Sequence, residues 1–278
     1  MILSDDIPAD NKTLRRRIYS GAIYKLPATP ESMHIAGYML QRVTETLGSP
    51  LENAPERMGT PEFLNRMRDL RGVLVEEEAC KEFVRGLMRR HGFDPAENAF
   101  DVMRLRGVTS GGHENPGAAR AYALHLDTWY ANPQSQINWW LALQDTPEER
   151  TFSFYPDYFD VPVANTSAQF DYDVWMEKVG WQGARGKQES VEYPYAELPE
   201  DARRMGFACR AGEIILFAAA HLHGTNPNVT GVCRYSVDFR SVHLADHAAG
   251  IGAPNADNGS RPDVLRDYVM PDSCKGSG

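Results

Sequence analysis

Cysteine is scarce in this chain. The 278 residues include four, Cys80, Cys209, Cys233 and Cys274, and no two of them form a CxxC pair. That spacing supports neither a zinc ribbon nor a dithiol redox motif. Long hydrophobic runs are also missing, and no stretch approaches the length of a membrane-crossing helix. The opening residues, Met1-Ile2-Leu3 followed by Ser4-Asp5-Asp6, lack the apolar segment of a secretory signal, so a cytoplasmic setting is expected. Basic charge is in deficit: 29 Lys and Arg against 38 Asp and Glu give a formal net charge of -9, which argues against a nucleic-acid partner. There is no Gly-rich phosphate loop, no G-x-S-x-G nucleophile elbow, no internal repeat and no low-complexity segment.

What is present is an ordinary globular composition, 42% hydrophobic and 24% charged, with apolar residues enough for a sizeable core. A single domain over 1–278 is expected, with a helix-rich part at 1–95, a strand-rich core at 96–245 and a C-terminal extension at 246–278. Residues 17–26, rich in aromatic and β-branched side chains, read as a short strand. Thr29-Pro30-Glu31 opens a helix, with a Thr cap, Pro at the first position and an acid in the first turn. Met33, Ala36, Met39, Leu40, Val43 and Leu47 continue it at helical spacing until Gly48-Ser49-Pro50. Thr60-Pro61-Glu62 repeats the opening, and 75–90 forms a further helical stretch ended by His91-Gly92.

Beyond residue 95 the period changes. Segments 100–108, 119–127, 136–144, 151–155, 204–209, 213–217 and 234–242 read as strands, punctuated by Gly and Asn-Pro turns. Residues 170–179 read as an inserted helix and 180–195 as a long loop, a candidate lid. Helices followed by many short strands predict an α+β fold. The expected core is a double-stranded β-helix (jelly-roll, cupin-like) with the N-terminal helices packed outside. Paired sheets of that kind enclose a cavity.

His125-Leu126-Asp127 is the most informative triplet. On a strand, residues two apart point to the same side, whereas a helix would separate them by roughly 200°. Far along the chain, the apolar strand Glu213-Ile214-Ile215-Leu216-Phe217 leads through three alanines to His221-Leu222-His223-Gly224-Thr225. Two imidazoles and one carboxylate on one face of an ion are the facial triad of non-haem Fe(II) sites. His221 and His223 compete for the second imidazole, and two apart on a strand they share a face. Arg234 is a guanidinium suited to a carboxylate. Arg240, on the same strand face, is its rival.

The motifs resemble Fe(II)/2-oxoglutarate oxygenases of the phytanoyl-CoA-dioxygenase-like branch. The resemblance rests on Gly212-Glu213, Leu216-Phe217, His223-Gly224-Thr225, Asn228 and Arg234, preceded by His125-Leu126-Asp127 and the run 140–145. It implies His125, Asp127 and His223 as metal ligands, with Fe(II), 2-oxoglutarate and O2 as cofactor and cosubstrates. It also implies Arg234 and Thr225 as binders of the distal carboxylate of 2-oxoglutarate, with Trp140 and Asn138 on the cosubstrate wall. Relatives that halogenate carry a small residue where Asp127 stands, so oxygen chemistry is implied: hydroxylation, desaturation or oxidative ring closure. The run 146–154 departs from the Asn-Gly pair that many relatives carry after the central strand, which leaves the substrate side open. The chain looks most like natural-product tailoring members that act on small molecules, among them sugar-containing antibiotic intermediates.

Candidate substrate contacts are Arg104, His113, His221, Arg240 and Tyr155. Arg104 and Arg106 share a strand face that can grip an anion or simply face solvent, and His113 lies on a loop that can line the mouth or stay exposed. Tyr155, Trp175 and Trp181 offer aromatic faces for stacking or packing. The competing reading is a cupin-like isomerase or sugar-binding module, with metal on His125, His221 and His223 and no use of 2-oxoglutarate.

Overall fold

At the centre of the molecule lies β5 (Gln136–Ala142), whose seven residues are all buried. A buried strand must pair both edges to satisfy its backbone. It pairs antiparallel with β7 (Ile214–Ala218) on one side and β9 (Arg234–His243) on the other. The computed structural model describes residues 3–115, 122–180 and 193–271. Among the described residues the main sheet has seven strands. β1 (Leu3–Ser4) and β2 (Ile23–Leu26) extend it beyond β7, while β3 (Asn98–Phe100) and β4 (Arg104–Val108) both pair with β9. Only the β1–β2 pairing is parallel. A smaller sheet joins β6 (Phe152–Phe154) to β8 (His223–Thr225), and isolated bridges lengthen it at His125–His223, Phe154–Met205 and Thr146–Cys209. The fold is mixed α/β with a mostly antiparallel sheet.

Register decides what each sheet face carries, because successive side chains alternate. Asn138 stands opposite Arg240, and Trp140 opposite Asp238, which in turn faces Arg104. One face therefore presents polar and charged groups. The other presents Ile137, Trp139, Leu141, Leu216, Val237 and Phe239, all buried. Helices α1 (Asn11–Tyr19), α2 (Pro30–Leu47), α3 (Ala54–Met58), α4 (Thr60–Glu76) and α5 (Glu78–Arg90) belong to the same apolar cluster, through Ile18, Met39, Ala54, Phe63 and Leu87 among others. Trp139 anchors it: its ring stacks on Phe239 at 5.1 Å and meets Phe93 edge-on at 4.9 Å, and its Nε1 donates to Ser241 Oγ at 2.9 Å. Trp139→Ala is expected to lower the unfolding free energy by about 3–5 kcal/mol, read as a reduced urea midpoint at unchanged slope.

Several sequence expectations hold. Thr29 caps α2 with a reciprocal Thr29–Ser32 capping box and Pro30 at its start, and Gly48 ends it. Strands β5, β6, β7 and β9 lie where alternation placed them, and α6 (Tyr172–Lys178) falls inside 170–179. Others need correction. Residues 17–19 close α1 rather than open a strand: Asp10 caps that helix, Leu14 and Ile18 form its buried stripe, and Gly21 at φ 97° breaks it before β2. Because β1 and β2 join the main sheet, the first 95 residues are not purely helical packing. The 100–108 strand is two strands, interrupted where the buried Asp101 carboxylate accepts from the Arg240 backbone N–H at 2.7 Å. Residues 204–209 form only isolated bridges. Within 119–127, residues 119–121 lie outside the described residues, as does the 181–192 part of the 180–195 loop, Trp181 included. The rest of 119–127 is not a regular strand: Leu124 and His125 make single bridges, and Asp127 opens a 3-10 turn over Asp127–Tyr130. Among the described residues no helix is long and apolar enough to cross a membrane.

Candidate metal centre

His125 and His223 are brought together by the backbone. Each N–H donates to the other's carbonyl, at 3.0 and 3.1 Å, and the ring centroids stand 4.5 Å apart. Gly224 makes this approach possible, since a Cβ there would come within 2.6 Å of Leu124 Cδ2. Asp127 reaches the same point by a different route from the strand geometry expected for it. Its backbone N–H donates to Ala219 O at 2.9 Å, which pins the start of the 3-10 turn against the end of β7. Ligand atoms of His125, Asp127 and His223 all lie within 4.8 Å of one another, the sole such group of three among the described residues.

The imidazoles are oriented for coordination. His125 Nδ1 lies 2.9 Å from Ala123 O, and His223 Nδ1 lies 2.8 Å from His221 O. A carbonyl only accepts, so each Nδ1 carries the proton and each Nε2 keeps a free lone pair. Burial holds His223 neutral, with its pKa lowered to about 4, and the neighbouring His125 adds to the effect. Burial alone would raise the Asp127 carboxyl. The Arg240 guanidinium outweighs it and holds the group well below the usual carboxylate range. Asp127 Oδ1 stands 3.6 Å from His125 Nε2, while Oδ2 accepts from Asn138 Nδ2 at 2.5 Å. Two imidazoles that turn Nε2 toward one fixed carboxylate fit a ferrous ion.

Beside them the polar sheet face gathers charge. Arg104, Arg106, Arg234 and Arg240 share it with Asp101, Asp127 and Asp238, so guanidinium groups exceed carboxylates by one. Arg104 is buried and paired with Asp101, not exposed, and Arg106 forks onto Asp238 through Nε at 2.6 Å and Nη2 at 3.1 Å. Arg240 holds Asp101 through Nη1 at 3.0 Å and lies 3.8 Å from Asp127 through Nη2. Arg234 differs from these three. It is buried, its guanidinium carbon lies 5.6 Å from the Trp140 ring centroid, and among the described residues its Nε and Nη1 have no hydrogen-bond partner. Burial, with Arg106 nearby, lowers its pKa to about 10, which still leaves it charged at neutral pH. An orphaned buried guanidinium is costly unless an anion completes it. That is the observation against which a carboxylate-bearing cosubstrate fits.

The remaining expected residues are placed as follows. Thr225 sits on β8 opposite Phe152, half-buried and on the same side as His223. Asn138 faces Asp127, and Trp140 packs against Phe152 and Phe207 under Arg234. His113 is half-buried in a 3-10 turn, its ring edge-on to Tyr122 at 5.9 Å. Tyr155 is half-buried among Leu126, Trp129 and Leu222. His221 is fully buried between two carbonyls, with Nδ1 3.0 Å from Ala218 O and Nε2 3.2 Å from Gly21 O, and Phe159 lies at 4.6 Å. Both ring nitrogens thus point at carbonyls away from the cluster, though the neutral ring donates to only one of them, which removes His221 as a ligand and weakens the three-histidine alternative.

Burial lowers the His221 pKa from 6.5 to about 4. The unfolded chain takes up this proton first, so stability is lost as pH falls through that window, by about 3 kcal/mol from this group. Metal-free protein should show a shallower loss between pH 6.5 and 4 as His221→Asn than in its natural form, measured by urea unfolding.

Three residues absent from the sequence expectations shape the site: Asp101, Asn132 and Tyr268. Asn132 Nδ2 donates to Asp127 O at 2.8 Å, and Tyr268 reaches the cluster from the C-terminal segment. Tyr268 and Asp101 meet Gln136 and Arg240 across more than a hundred residues, and Asn132 holds the Asp127 carbonyl five residues before it, a contact with no periodic signature.

No curated protein sequence matches the chain. Among solved structures, the epimerase SnoN in complex with Fe3+, alpha ketoglutarate and nogalamycin RO is similar over 90% of this chain and 98% of its own, at 14% identity and TM-score 0.42. EvdO2 from Micromonospora carbonacea var. aurantiaca is similar over 95% and 98%, at 13% identity and TM-score 0.45. The alpha-ketoglutarate-dependent carbocyclase SnoK from nogalamycin biosynthesis is similar over 88% and 93%, at 14% identity and TM-score 0.42. The family model for phytanoyl-CoA dioxygenase (PhyH) matches residues 112–236, a span that takes in His125, Asp127, His223 and Arg234 and leaves out Arg240. Over those residues, a little under half of the chain, the sequence is similar to the phytanoyl-CoA dioxygenase family.

Proposed function

We propose that the protein is a non-haem Fe(II) oxygenase that couples oxidative decarboxylation of 2-oxoglutarate to oxidation of a small organic molecule, a natural-product intermediate. The single observation that carries this reading is the pairing of a two-histidine, one-carboxylate cluster with the Arg234 guanidinium, whose Nε and Nη1 have no hydrogen-bond partner among the described residues. His125, Asp127 and His223 would hold the ion. Arg234 would take the distal carboxylate of 2-oxoglutarate, with the Thr225 hydroxyl beside it. Bound together, Fe(II) and 2-oxoglutarate supply O2 activation and a two-electron oxidation of substrate.

The chain's own residues do the rest. Asn138 and Arg240 keep Asp127 ionised and aimed, and the Nδ1 hydrogen bonds of both histidines fix their tautomers. Trp140, Phe152 and Phe207 form an apolar wall that keeps water from the arginine. Tyr130 packs edge-on against His125 at 5.0 Å and continues into Phe170 and Tyr193, an aromatic flank suited to a ring-bearing substrate. The two sheets are read as a double-stranded β-helix, supported by the position of the cluster between β8 and the polar face of the main sheet. The chain is read as one domain, supported by β2 pairing with β7 and by Tyr268 meeting Gln136. A cytoplasmic setting and a small-molecule partner belong to the same reading.

Anaerobic addition of Fe(II) and 2-oxoglutarate should produce a weak visible charge-transfer band, and under air succinate should form faster with the correct substrate than without it. Absence of the band at saturating cosubstrate would overturn the reading in favour of a metal-binding module that ignores 2-oxoglutarate.

A further inference from the structure

Asp127 has two carboxylate oxygens, and the structure treats them differently. Oδ1 faces His125 Nε2 at 3.6 Å. Oδ2 accepts from Asn138 Nδ2 at 2.5 Å and from Gln136 Nε2 at 3.4 Å. Gln136 Nε2 also donates to Asn138 Oδ1 at 2.8 Å, and Tyr268 donates its hydroxyl to Gln136 Oε1 at 2.8 Å. Every residue in this chain of bonds is buried.

Its direction is not arbitrary. A carboxylate only accepts, so Asn138 must offer its amide N–H and keep Oδ1 as an acceptor. Gln136 must then offer its own N–H groups and keep Oε1, which leaves Tyr268 as the donor that closes the far end. Phenylalanine at 268 would leave Gln136 Oε1 buried without that donor. The amide could then turn over without losing a bond to tyrosine, and the donors on Oδ2 would no longer be fixed. The Tyr268 hydroxyl also lies 3.4 Å from Asn132 Oδ1, and Asn132 Nδ2 donates to Asp127 O at 2.8 Å. The phenol has one hydrogen, which goes to Gln136 at the shorter distance, while its oxygen stands beside Asn132, the amide that holds the Asp127 backbone carbonyl. Tyr268 lies outside residues 112–236, the span similar to the phytanoyl-CoA dioxygenase family model.

We propose that Tyr268 is a positioning residue for the metal centre, acting through Gln136 and Asn138 to saturate Asp127 Oδ2 and present Oδ1 alone to the ion. A carboxylate bound through one oxygen leaves open a coordination position that the keto acid needs. A carboxylate free to bind through both would compete for it. This rests on the metal reading above.

The test uses Co(II) with the full-length metal-free protein and its Tyr268→Phe and Gln136→Met variants, followed by equilibrium dialysis and by the visible spectrum of bound Co(II). The natural protein should bind one Co(II). Both variants should bind it about tenfold more weakly, the lower end of what outer-shell partners of metal ligands contribute, with a changed band shape. Should Tyr268→Phe fail to fold, Gln136→Met breaks the same relay in its middle. Unchanged affinity and spectrum in the folded variants would overturn the proposal, even if their metal-free stability falls. So would an effect in Tyr268→Phe with none in a folded Gln136→Met. Failure of the natural protein to bind Co(II) would overturn the metal reading itself, a result distinct from these.

Discussion

Arg234→Met should give a protein that binds 2-oxoglutarate about 10²- to 10³-fold more weakly and yet unfolds at a higher temperature when metal-free. Both effects follow from one fact. The Arg234 side chain is buried, and among the described residues its Nε and Nη1 have no hydrogen-bond partner, so its charge is desolvated with little compensation. Removing one partner of a buried charged contact costs about 2–5 kcal/mol of binding. Removing an unpaired buried charge and filling its volume with a flexible apolar chain stabilises the unliganded fold, here by about 1–3 kcal/mol. Isothermal titration of 2-oxoglutarate into metal-loaded protein reads the first effect, and thermal unfolding reads the second. Unchanged affinity would assign the cosubstrate carboxylate elsewhere. Arg240 is a poor substitute, since Asp101 and Asp127 already face its guanidinium and raise its pKa against the lowering effect of burial.

Asp127→Asn should weaken Fe(II) binding by at least about 10²-fold. Outer-shell partners of metal ligands contribute roughly 10- to 100-fold, and a ligand that also supplies the anionic charge must contribute more. The amide is nearly isosteric with the carboxylate, so the fold should survive. Two changes follow inside the protein. Arg240 loses one of the two carboxylates that raise its pKa most, and the N–H donors of Asn138 and Gln136 face an atom that accepts less strongly. Arg240 keeps Asp101, so its charge is not stranded. Anaerobic dialysis against Fe(II) measures the loss. Retained affinity would favour a site built from histidines alone. The geometry opposes that outcome, because both ring nitrogens of His221 already face carbonyls.

The sequence made legible what depends on local pattern. The alternation of Gln136, Asn138 and Trp140 with Ile137, Trp139 and Leu141 marked β5, and the register now shows which set faces the charged side. Thr29-Pro30 marked the start of α2, and His223-Gly224-Thr225 marked the turn out of the core. The His125–Asp127 spacing drew attention to two side chains that do converge, for an incomplete reason. The two converge because a single bridge to His223 holds one and a 3-10 turn anchored on Ala219 holds the other. Helix α1 was missed because its arginines and its Ile18-Tyr19 end read as a β-rich run, while the cap at Asp10 decided the matter. Arg104 was expected to grip an anionic ligand or to face solvent. It is inside because Asp101, at the break between β3 and β4, turns inward to meet it. Tyr268 left no local trace, since a single phenol reaching across 132 residues to Gln136 has no periodicity.

The most direct measurement of the central claim is iron-edge anomalous diffraction from crystals grown anaerobically with Fe(II). The account predicts one peak per chain, within bonding distance of His125 Nε2, His223 Nε2 and Asp127 Oδ1, with Asp127 Oδ2 still held by Asn138. A peak on other residues, or none at saturating iron, would contradict it.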